Sequence, residues 1–174
     1  HSTDYDAHGF YSDDHGKTFR LGASIRVPGS NESMAVELGD GRLMMNSRNQ
    51  KGDIKARIVS ISNDGGTSWD TSYFDKNLPD PVCQGSIVGI GRKKSKAILA
   101  FCNAADTSRR NNLMLRISFD DGKTWDKHYL IYKRDEPGDN AAYSDIIPIS
   151  NTDVGILYEK DNYSRLVFAT VKWK

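Results

Sequence analysis

The chain has 174 residues, of which 37% are hydrophobic and 27% are charged, and its formal net charge is +1 at pH 7. This length is typical of a single globular domain, and the small net charge lacks the basic excess with which nucleic-acid-binding proteins contact phosphates. The sequence contains no run of 18 apolar residues, so we expect no membrane span. Neither a nucleic-acid partner nor a membrane span is therefore expected.

A short motif of the form S-x-D-x-G-x-[ST]-[FW] occupies residues 12–19 and recurs at 62–69 and 118–125. Serine and aspartate side chains in such a motif bind nearby backbone N–H groups, and glycine supplies a position with positive φ. The closing aromatic residue is expected to pack the turn onto its sheet. Each copy, called an Asp-box below, predicts a hairpin turn, and a repeat of roughly fifty residues predicts a β-propeller.

Between the Asp-boxes the chain consists of short apolar or alternating segments that polar turns separate. Most segments are rich in Val, Ile, Leu and aromatic residues and have no helical period, which favours strands. The predicted strands cover residues 33–38, 42–47, 55–62, 84–90, 96–102, 112–118, 143–149, 153–159 and 165–173. A further strand is expected after each tryptophan of an Asp-box. The sequence thus predicts an all-β fold of up-and-down blades.

The repeat length leaves room for about three to four blades, whereas a closed propeller has roughly four to eight. The sequence therefore predicts an incomplete circle. The polar segment that starts at His1 is typical of a chain that begins within a longer protein.

Cys83 and Cys102 are the only cysteines, and they flank a predicted hairpin. A symmetric strand register would bring them close enough for a disulfide. We favour two buried free thiols, because directly paired strand positions rarely meet disulfide geometry without strain. The four histidines have no metal-ligand spacing, so neither a metal nor another cofactor is expected.

Polar residues at the predicted strand starts, at the end away from the Asp-boxes, are the candidate functional residues, because strand ends and loops on a rigid scaffold often carry sites. They are Asn31-Glu32, Arg48, Gln84, Arg109-Arg110 and Tyr143-Ser144-Asp145. Glu32 and Glu37 lie on opposite sides of an alternating strand, so only one of them can line a site. Arg109 and Arg110 are likewise competing candidates for one role. Arg57, which lies within a strand, is expected to be structural or solvated.

At these residues the chain resembles the bacterial exo-α-sialidases, retaining glycosidases that release terminal sialic acid. The matching pieces are N-E-x-x-x-V-E-L at 31–38, L-x-x-x-x-R at 43–48, R-x-N-L-x-x-R-x-S-x-D-x-G-x-T-W at 110–125, A-Y-S-D-I at 142–146 and L-Y-E at 157–159. The resemblance covers nearly the whole chain and implies a six-bladed propeller, of which this chain supplies roughly the last three to four blades.

The family's early Phe-Arg-Ile-Pro segment, with the first arginine of a triad, is not found here, nor is the pattern around its acid/base aspartate. The resemblance therefore implies that residues 1–174 are the C-terminal portion of one propeller domain whose N-terminal blades are absent. The aspartates of the Asp-boxes are poor substitutes, because the boxes are expected to lie away from the pocket.

The resemblance implies that Tyr143 is the nucleophile and that Glu32 is its base. Arg48 and Arg110 match two of three arginines that bind the sialic acid carboxylate, and Glu159 matches a carboxylate that orients the third. The residue chemistry agrees, because an anionic nucleophile would approach this anionic substrate against like charge. A phenol stays neutral until Glu32 takes its proton, and an arginine fork binds a carboxylate with two hydrogen bonds.

The resemblance also implies sialylated glycans or glycoproteins as substrates, a complementary N-terminal segment as a partner, and a secreted, periplasmic or cell-surface location. Two alternatives remain open. The first is a trans-sialidase or intramolecular trans-sialidase, which would use the same Tyr143 and Glu32. The second is a propeller with Asp-boxes that binds glycan or protein without catalysis.

Overall fold

The computed structural model describes residues 5–174, and the first four residues of the predicted 1–174 unit lie outside the described part. Residues 5–174 contain strands and no helix. The strands are β1 (His8–Tyr11), β2 (Arg20–Ser24), β3 (Ser30–Glu37), β4 (Leu43–Asn49), β5 (Ala56–Ser62), β6 (Thr71–Pro79), β7 (Gly85–Lys93), β8 (Lys96–Ala104), β9 (Leu113–Ser118), β10 (Lys127–Tyr132), β11 (Ala141–Pro148), β12 (Asp153–Lys160) and β13 (Arg165–Lys172). The all-β prediction is confirmed, and every predicted strand has a counterpart.

The strands form four antiparallel sheets, in which strands adjacent in the chain pair with each other. β1 pairs with β2, strands β3 to β6 and β7 to β10 form two four-stranded sheets, and β11 to β13 form a three-stranded sheet. β6 and β10 are the strands expected after the tryptophans, whereas β1 and β2 were not predicted. The last three sheets begin with β3, β7 and β11, and these first strands lie side by side. The sheets are therefore arranged as successive propeller blades.

The core lies between neighbouring sheets, because central strands carry apolar residues on both faces. In β8, Leu99 and Phe101 pack toward the sheet of β3 to β6, together with Met44 and Val59. The alternate residues of β8 pack toward β11 to β13, where Ile156 is fully buried. Full burial of each such side chain contributes about 1.5–3 kcal/mol. These contacts fix the sheets relative to one another and hold the ends of the inner strands in place.

The three Asp-boxes contain the same hydrogen bonds. In each copy the serine hydroxyl accepts the backbone N–H of the glycine four positions later, and the aspartate accepts the N–H of the Ser or Thr four positions after it. These bonds measure 2.7–2.8 Å and involve the N–H groups of Gly16, Gly66, Gly122, Thr18, Ser68 and Thr124. The three glycines have φ values of 83°, 88° and 78°. Each Asp-box therefore closes the hairpin turn that the motif predicts.

The aromatic residue of an Asp-box also contacts the preceding sheet, which the motif alone does not predict. The Trp125 indole N–H donates to Asp75 on β6 at 3.4 Å, and its ring lies 5.8 Å from that of Phe101. The Trp69 indole donates to the carbonyl of Ala23 on β2 at 2.8 Å. Phe19 remains 60% exposed and packs only edge-on against Phe10. Each tryptophan therefore joins two neighbouring sheets.

Cys83 and Cys102 are both free and buried. The register of β7 and β8 places Cys102 opposite Ser86, so the symmetric pairing that a disulfide needs does not occur. Burial raises the pKa of each thiol to about 12. The preferred interpretation, two buried thiols, agrees with the structure.

We expect neither thiol to react with iodoacetamide at about pH 8 in the folded protein, because a buried thiol with so high a pKa supplies almost no thiolate. After unfolding in guanidinium chloride, both cysteines should be alkylated. Intact-mass measurement before and after unfolding counts the added groups. Labelling of Cys83 or Cys102 in the native state would contradict the buried position of that residue.

Candidate active site

Four of the predicted site residues come from the same end of three inner strands and one connecting segment. Glu32 lies near the start of β3, Arg48 near the end of β4, and Tyr143 near the start of β11, while Arg110 precedes β9. This end is opposite to the Asp-boxes, because each box follows the other end of its strand. The sheet geometry therefore brings together residues that are up to 111 positions apart in the chain.

Irregular pairing sets the directions of Glu32 and Tyr143. The register of β3 with β4 shifts between Ser30 and Ser33, and the register of β11 with β12 shifts between Ala141 and Ser144. A β-bulge bends its strand and re-aims the side chains beside it. Each of the two residues thus lies at such an irregularity, which turns its side chain toward the other.

Glu32, Arg48 and Tyr143 form a hydrogen-bonded cluster. The Tyr143 hydroxyl donates to Oε1 of Glu32, while Arg48 Nη1 donates to Oε2 of Glu32 at 2.8 Å and to the Tyr143 oxygen at 3.2 Å. The side chains of Arg48 and Glu32 are only 11% and 32% exposed, so solvent screens their interaction less than that of a surface ion pair. Arg48 thereby holds the Glu32 carboxylate against the phenol.

The pKa of Tyr143 is raised above its ordinary value, first by burial and then by the hydrogen bond and the negative charge of Glu32. The positive charge of Arg48 opposes this effect. The phenol is therefore neutral at neutral pH, and its proton points at a carboxylate that can accept it. A neutral hydroxyl beside a fixed base is the arrangement of an activated nucleophile.

These opposing charges predict two shifts in the titration of Tyr143. The Glu32→Gln variant should have a lower Tyr143 pKa than the wild type, because the neighbouring negative charge is gone. Arg48→Gln should have a higher pKa, because the positive charge is lost. NMR titration of tyrosine labelled with ¹³C at Cζ measures both shifts. A shift of the same sign in both variants would rule out direct charge coupling in this cluster.

Arg110 lies beside the ring of Tyr143, with 5.7 Å between its Cζ and the ring centroid. Its Nη2 donates to the carbonyl of Val82 at 3.1 Å, and its Nη1 donates to the hydroxyl of Tyr163 at 3.0 Å. Tyr163 in turn donates to Asp139, whose carboxylate also lies 4.0 Å from Nε of Arg110. The guanidinium is therefore held from several sides next to the cluster.

The competing candidates point elsewhere. Arg109 donates to the backbone carbonyls of Glu136 and Arg134, away from the cluster. Glu37 is exposed at the other end of β3, where it lies 3.5 Å from Arg92. Of each pair, the structure brings the expected member, Arg110 or Glu32, to Tyr143.

Glu159 and Gln84 hold the backbone on both sides of the Tyr143 peptide unit. Glu159 Oε2 accepts the N–H of Tyr143 at 3.1 Å, and Gln84 Oε1 accepts the N–H of Ser144 at 3.0 Å. Both residues line an open cavity of about 300 Å³ together with Tyr143. Glu159 therefore contacts the site directly, and its expected role toward a further arginine stays a prediction.

A second open cavity, of about 360 Å³, is lined by residues 5–8 and 30–33, which include Glu32. Glu32 therefore borders one cavity and Tyr143 borders the other. Residues 5–174 contain no group of three potential metal ligands, and no helix among them is long and apolar enough to cross a membrane.

One residue of the site was missed by sequence analysis. Tyr163 was not considered, although it follows an Asp-Asn pair that is typical of a turn. Asp161, Asn162 and Tyr163 all adopt positive φ, at 52°, 52° and 65°, in a tight turn that delivers the Tyr163 hydroxyl to Arg110. Arg57 was expected to be structural or solvated; it is fully buried, so the solvated alternative is wrong.

Residues 1–156 match the family model described as "BNR repeat-like domain". This chain belongs to that family. It is 36% identical over 169 residues to "Sialidase" of Micromonospora viridifaciens, and the aligned region covers 94% of this chain and 25% of that protein. It is 33% identical over 169 residues to "Sialidase" of Bacteroides fragilis, with 94% of this chain and 30% of that protein covered. The BNR-family chain thus spans between a quarter and a third of these relatives.

Solved structures agree with this relationship. "Hadza microbial sialidase Hz136" superposes with a TM-score of 0.80 at 29% identity, over 94% of this chain and 31% of that structure. The NanB sialidase from Streptococcus pneumoniae superposes with a TM-score of 0.81 at 23% identity, over 98% of this chain and 28% of that structure. The expected membership in the bacterial sialidase family and the sialidase-type propeller fold are confirmed.

Proposed function

We propose that this chain carries the nucleophile of a retaining exo-α-sialidase that releases terminal sialic acids from glycans or glycoproteins. The hydrogen-bonded cluster of Tyr143, Glu32 and Arg48 is the observation that carries the proposal. The sialidase names of the relatives support the same reaction class.

In the proposed first step, the Tyr143 oxygen attacks the anomeric carbon of sialic acid while its proton passes to Glu32. The bond to the leaving glycan breaks, and its electrons go to the leaving oxygen, which an acid outside this cluster protonates. In the second step, water attacks the same carbon, passes a proton to the conjugate base of that acid, and releases sialic acid. The bonding electrons then return to Tyr143, which regains its proton from Glu32.

Two positive charges suit the anionic substrate. Arg48 on β4 and Arg110 in the segment before β9 both lie next to Tyr143, and each guanidinium is held in place by the protein acceptors to which it donates. We propose that they bind the carboxylate next to the anomeric carbon. The attack of a neutral phenol then proceeds without like-charge repulsion, while the arginines position the substrate.

We also propose that a complementary N-terminal segment of the same domain completes the propeller. Large apolar side chains on the first and last sheets are exposed, and such patches are rare on free monomers. They are Phe10, Phe19, Leu21, Ile147, Ile149, Leu157, Leu166 and Phe168. Among residues 5–174, strand β13 has a partner strand on one side only, so its other edge can accept a further strand. We propose that this segment supplies the acid that protonates the leaving oxygen and the third arginine that binds the carboxylate. We also propose that the protein acts at the cell exterior or in the periplasm.

Covalent trapping tests the proposal. A 2,3-difluorinated sialic acid slows the second step, so the intact protein should accumulate a sialosyl adduct on the peptide that contains Tyr143. Mass spectrometry after proteolysis locates the adduct, and Tyr143→Phe serves as the control that cannot form it. An adduct on another residue, or none from a preparation that hydrolyses sialosides, would overturn the nucleophile assignment.

The same experiment separates the alternatives. A trans-sialidase would give the same adduct, and analysis of the products would then show a transferred or internally cyclised sialosyl group instead of free sialic acid. A propeller that only binds glycan or protein would give neither an adduct nor a product.

A further inference from the structure

A fully buried ion pair lies behind the site. Arg57 Nη1 donates to Oδ2 of Asp80 at 3.2 Å, and both side chains are 0% exposed. Removing two charges from water costs several kcal/mol per ion, so a buried pair of this kind is weak evidence for a role in stability. Its other hydrogen bonds indicate what it does instead.

Asp80 connects the strand of Arg48 to a turn in the next segment. Its Oδ2 accepts the N–H of Asn49, the residue after Arg48, and its Oδ1 accepts the N–H of Cys83, each at 2.9 Å. Arg57 adds a bond from Nη1 to the Cys83 carbonyl at 2.5 Å and one from Nε to Asn46 Oδ1 at 2.7 Å. The pair thus holds β4 and the turn at residues 80–83 in one fixed arrangement.

That turn is strained at the residue that contacts Arg110. Val82 has a φ of 63°, a conformation that is a genuine outlier for a β-branched residue. Such strain persists only where the surrounding structure enforces it, and it is often found at functional sites. The consequence here is that the Val82 carbonyl faces Arg110 Nη2 at 3.1 Å.

We propose that Arg57 and Asp80 are positioning residues that fix Arg48 and Arg110 relative to each other for binding of one substrate carboxylate. The inference rests on the proposed function, and it adds two residues that touch no substrate. Asp80 acts on Arg48 through the Asn49 N–H. The pair acts on Arg110 through the Cys83 peptide and the strained Val82 carbonyl. Loss of either charge lets the two guanidinium groups move independently.

Ligand binding with and without a carboxylate tests this inference in the intact protein. The probes are the unsaturated glycal of sialic acid and its methyl ester, and calorimetry gives the ratio of their affinities. We expect Asp80→Asn to reduce this acid-to-ester ratio by about tenfold or more, the size of one charge-assisted hydrogen bond. Arg57→Lys should reduce it in the same direction.

Asp121→Asn is the matched control. Asp121 is also a buried carboxylate that accepts two backbone N–H groups, from Gly39 at 2.8 Å and Ala97 at 2.7 Å, and that pairs with a cation, Lys96, at 2.9 Å. It lies in an Asp-box at the other end of the sheets. Asp121→Asn should leave the acid-to-ester ratio unchanged. If it lowers this ratio as much as Asp80→Asn does, the role of Asp80 is only structural and the inference is overturned.

The outcomes separate the two proposals. A wild-type protein that does not favour the acid over the ester contradicts the proposed function itself. A wild type that does so, with a folded Asp80→Asn that keeps the full ratio, contradicts only the positioning role. If Asp80→Asn does not fold, the Val82→Gly variant tests the positioning role instead, because glycine adopts the positive φ of this turn without strain. That variant should lose part of the ratio through a mobile carbonyl, and an unchanged ratio overturns the inference.

Discussion

Replacement of Glu32 by glutamine is expected to lower the turnover of an aryl sialoside by about 10²- to 10⁴-fold, the usual contribution of a positioned base. Glutamine keeps the size of the side chain and can still accept the hydrogen bond from Tyr143, but it cannot take the proton as the phenol attacks. An aryl leaving group needs little protonation, so kcat/KM, which covers the steps up to cleavage of the glycosidic bond, reports the attack of Tyr143. The assay uses the intact protein over a range of substrate concentrations, so that kcat and KM are separated.

Two comparisons show whether Glu32 and Tyr143 act as one unit. Tyr143→Phe should lose at least as much turnover as Glu32→Gln, and the double variant should be no worse than Tyr143→Phe alone, since a base without its nucleophile has no function. Glu37→Gln is the matched control, because Glu37 lies on the same strand and pairs with Arg92 at the surface. Multiplied losses in the double variant, or an equal loss in Glu37→Gln, would argue against the proposed roles.

The strand pattern and the Asp-boxes were sufficient to predict the fold, because each depends on neighbouring residues in the chain. The central strands of each sheet are apolar on both faces, and the box residues bind backbone groups within the same turn. Strands β1 and β2 were missed, because their short segments alternate weakly and carry exposed residues such as Phe10 and Leu21. Pairing with each other, rather than local pattern, makes them strands.

The site could be predicted only in part. Their positions at predicted strand ends and in a connecting segment made Glu32, Arg48, Arg110 and Tyr143 candidates, and the resemblance to the sialidases selected them. The bulges that aim two of them depend on the register with a partner strand. The burial of Arg57 could not be predicted from the sequence, because an isolated charged residue in a strand normally faces water. Its partner Asp80 lies 23 positions later, in a turn. Such long-range pairing cannot be read from the local sequence.

The aromatic residues of the Asp-boxes are expected to contribute differently to the stability of the fold, depending on what each one contacts. Trp125→Ala is expected to lower the free energy of unfolding by about 3–5 kcal/mol, the usual cost of truncating a buried aromatic residue. Trp125 is 8% exposed and packs with Phe101 in the core between two sheets. Its removal leaves a cavity there and also leaves the buried carboxylate of Asp75 without the indole N–H. Urea unfolding followed by circular dichroism measures the change.

Phe19→Ala is the matched control, because Phe19 occupies the same position of the first Asp-box. Its side chain is 60% exposed and contacts Phe10 at the surface, so its truncation should cost about 0.5 kcal/mol or less. Equal losses in the two variants would mean that the aromatic residue stabilises its own turn and not the contact between sheets. A large difference would show that the motif fixes the hairpin locally, whereas the neighbouring sheet determines how much its aromatic residue stabilises the fold.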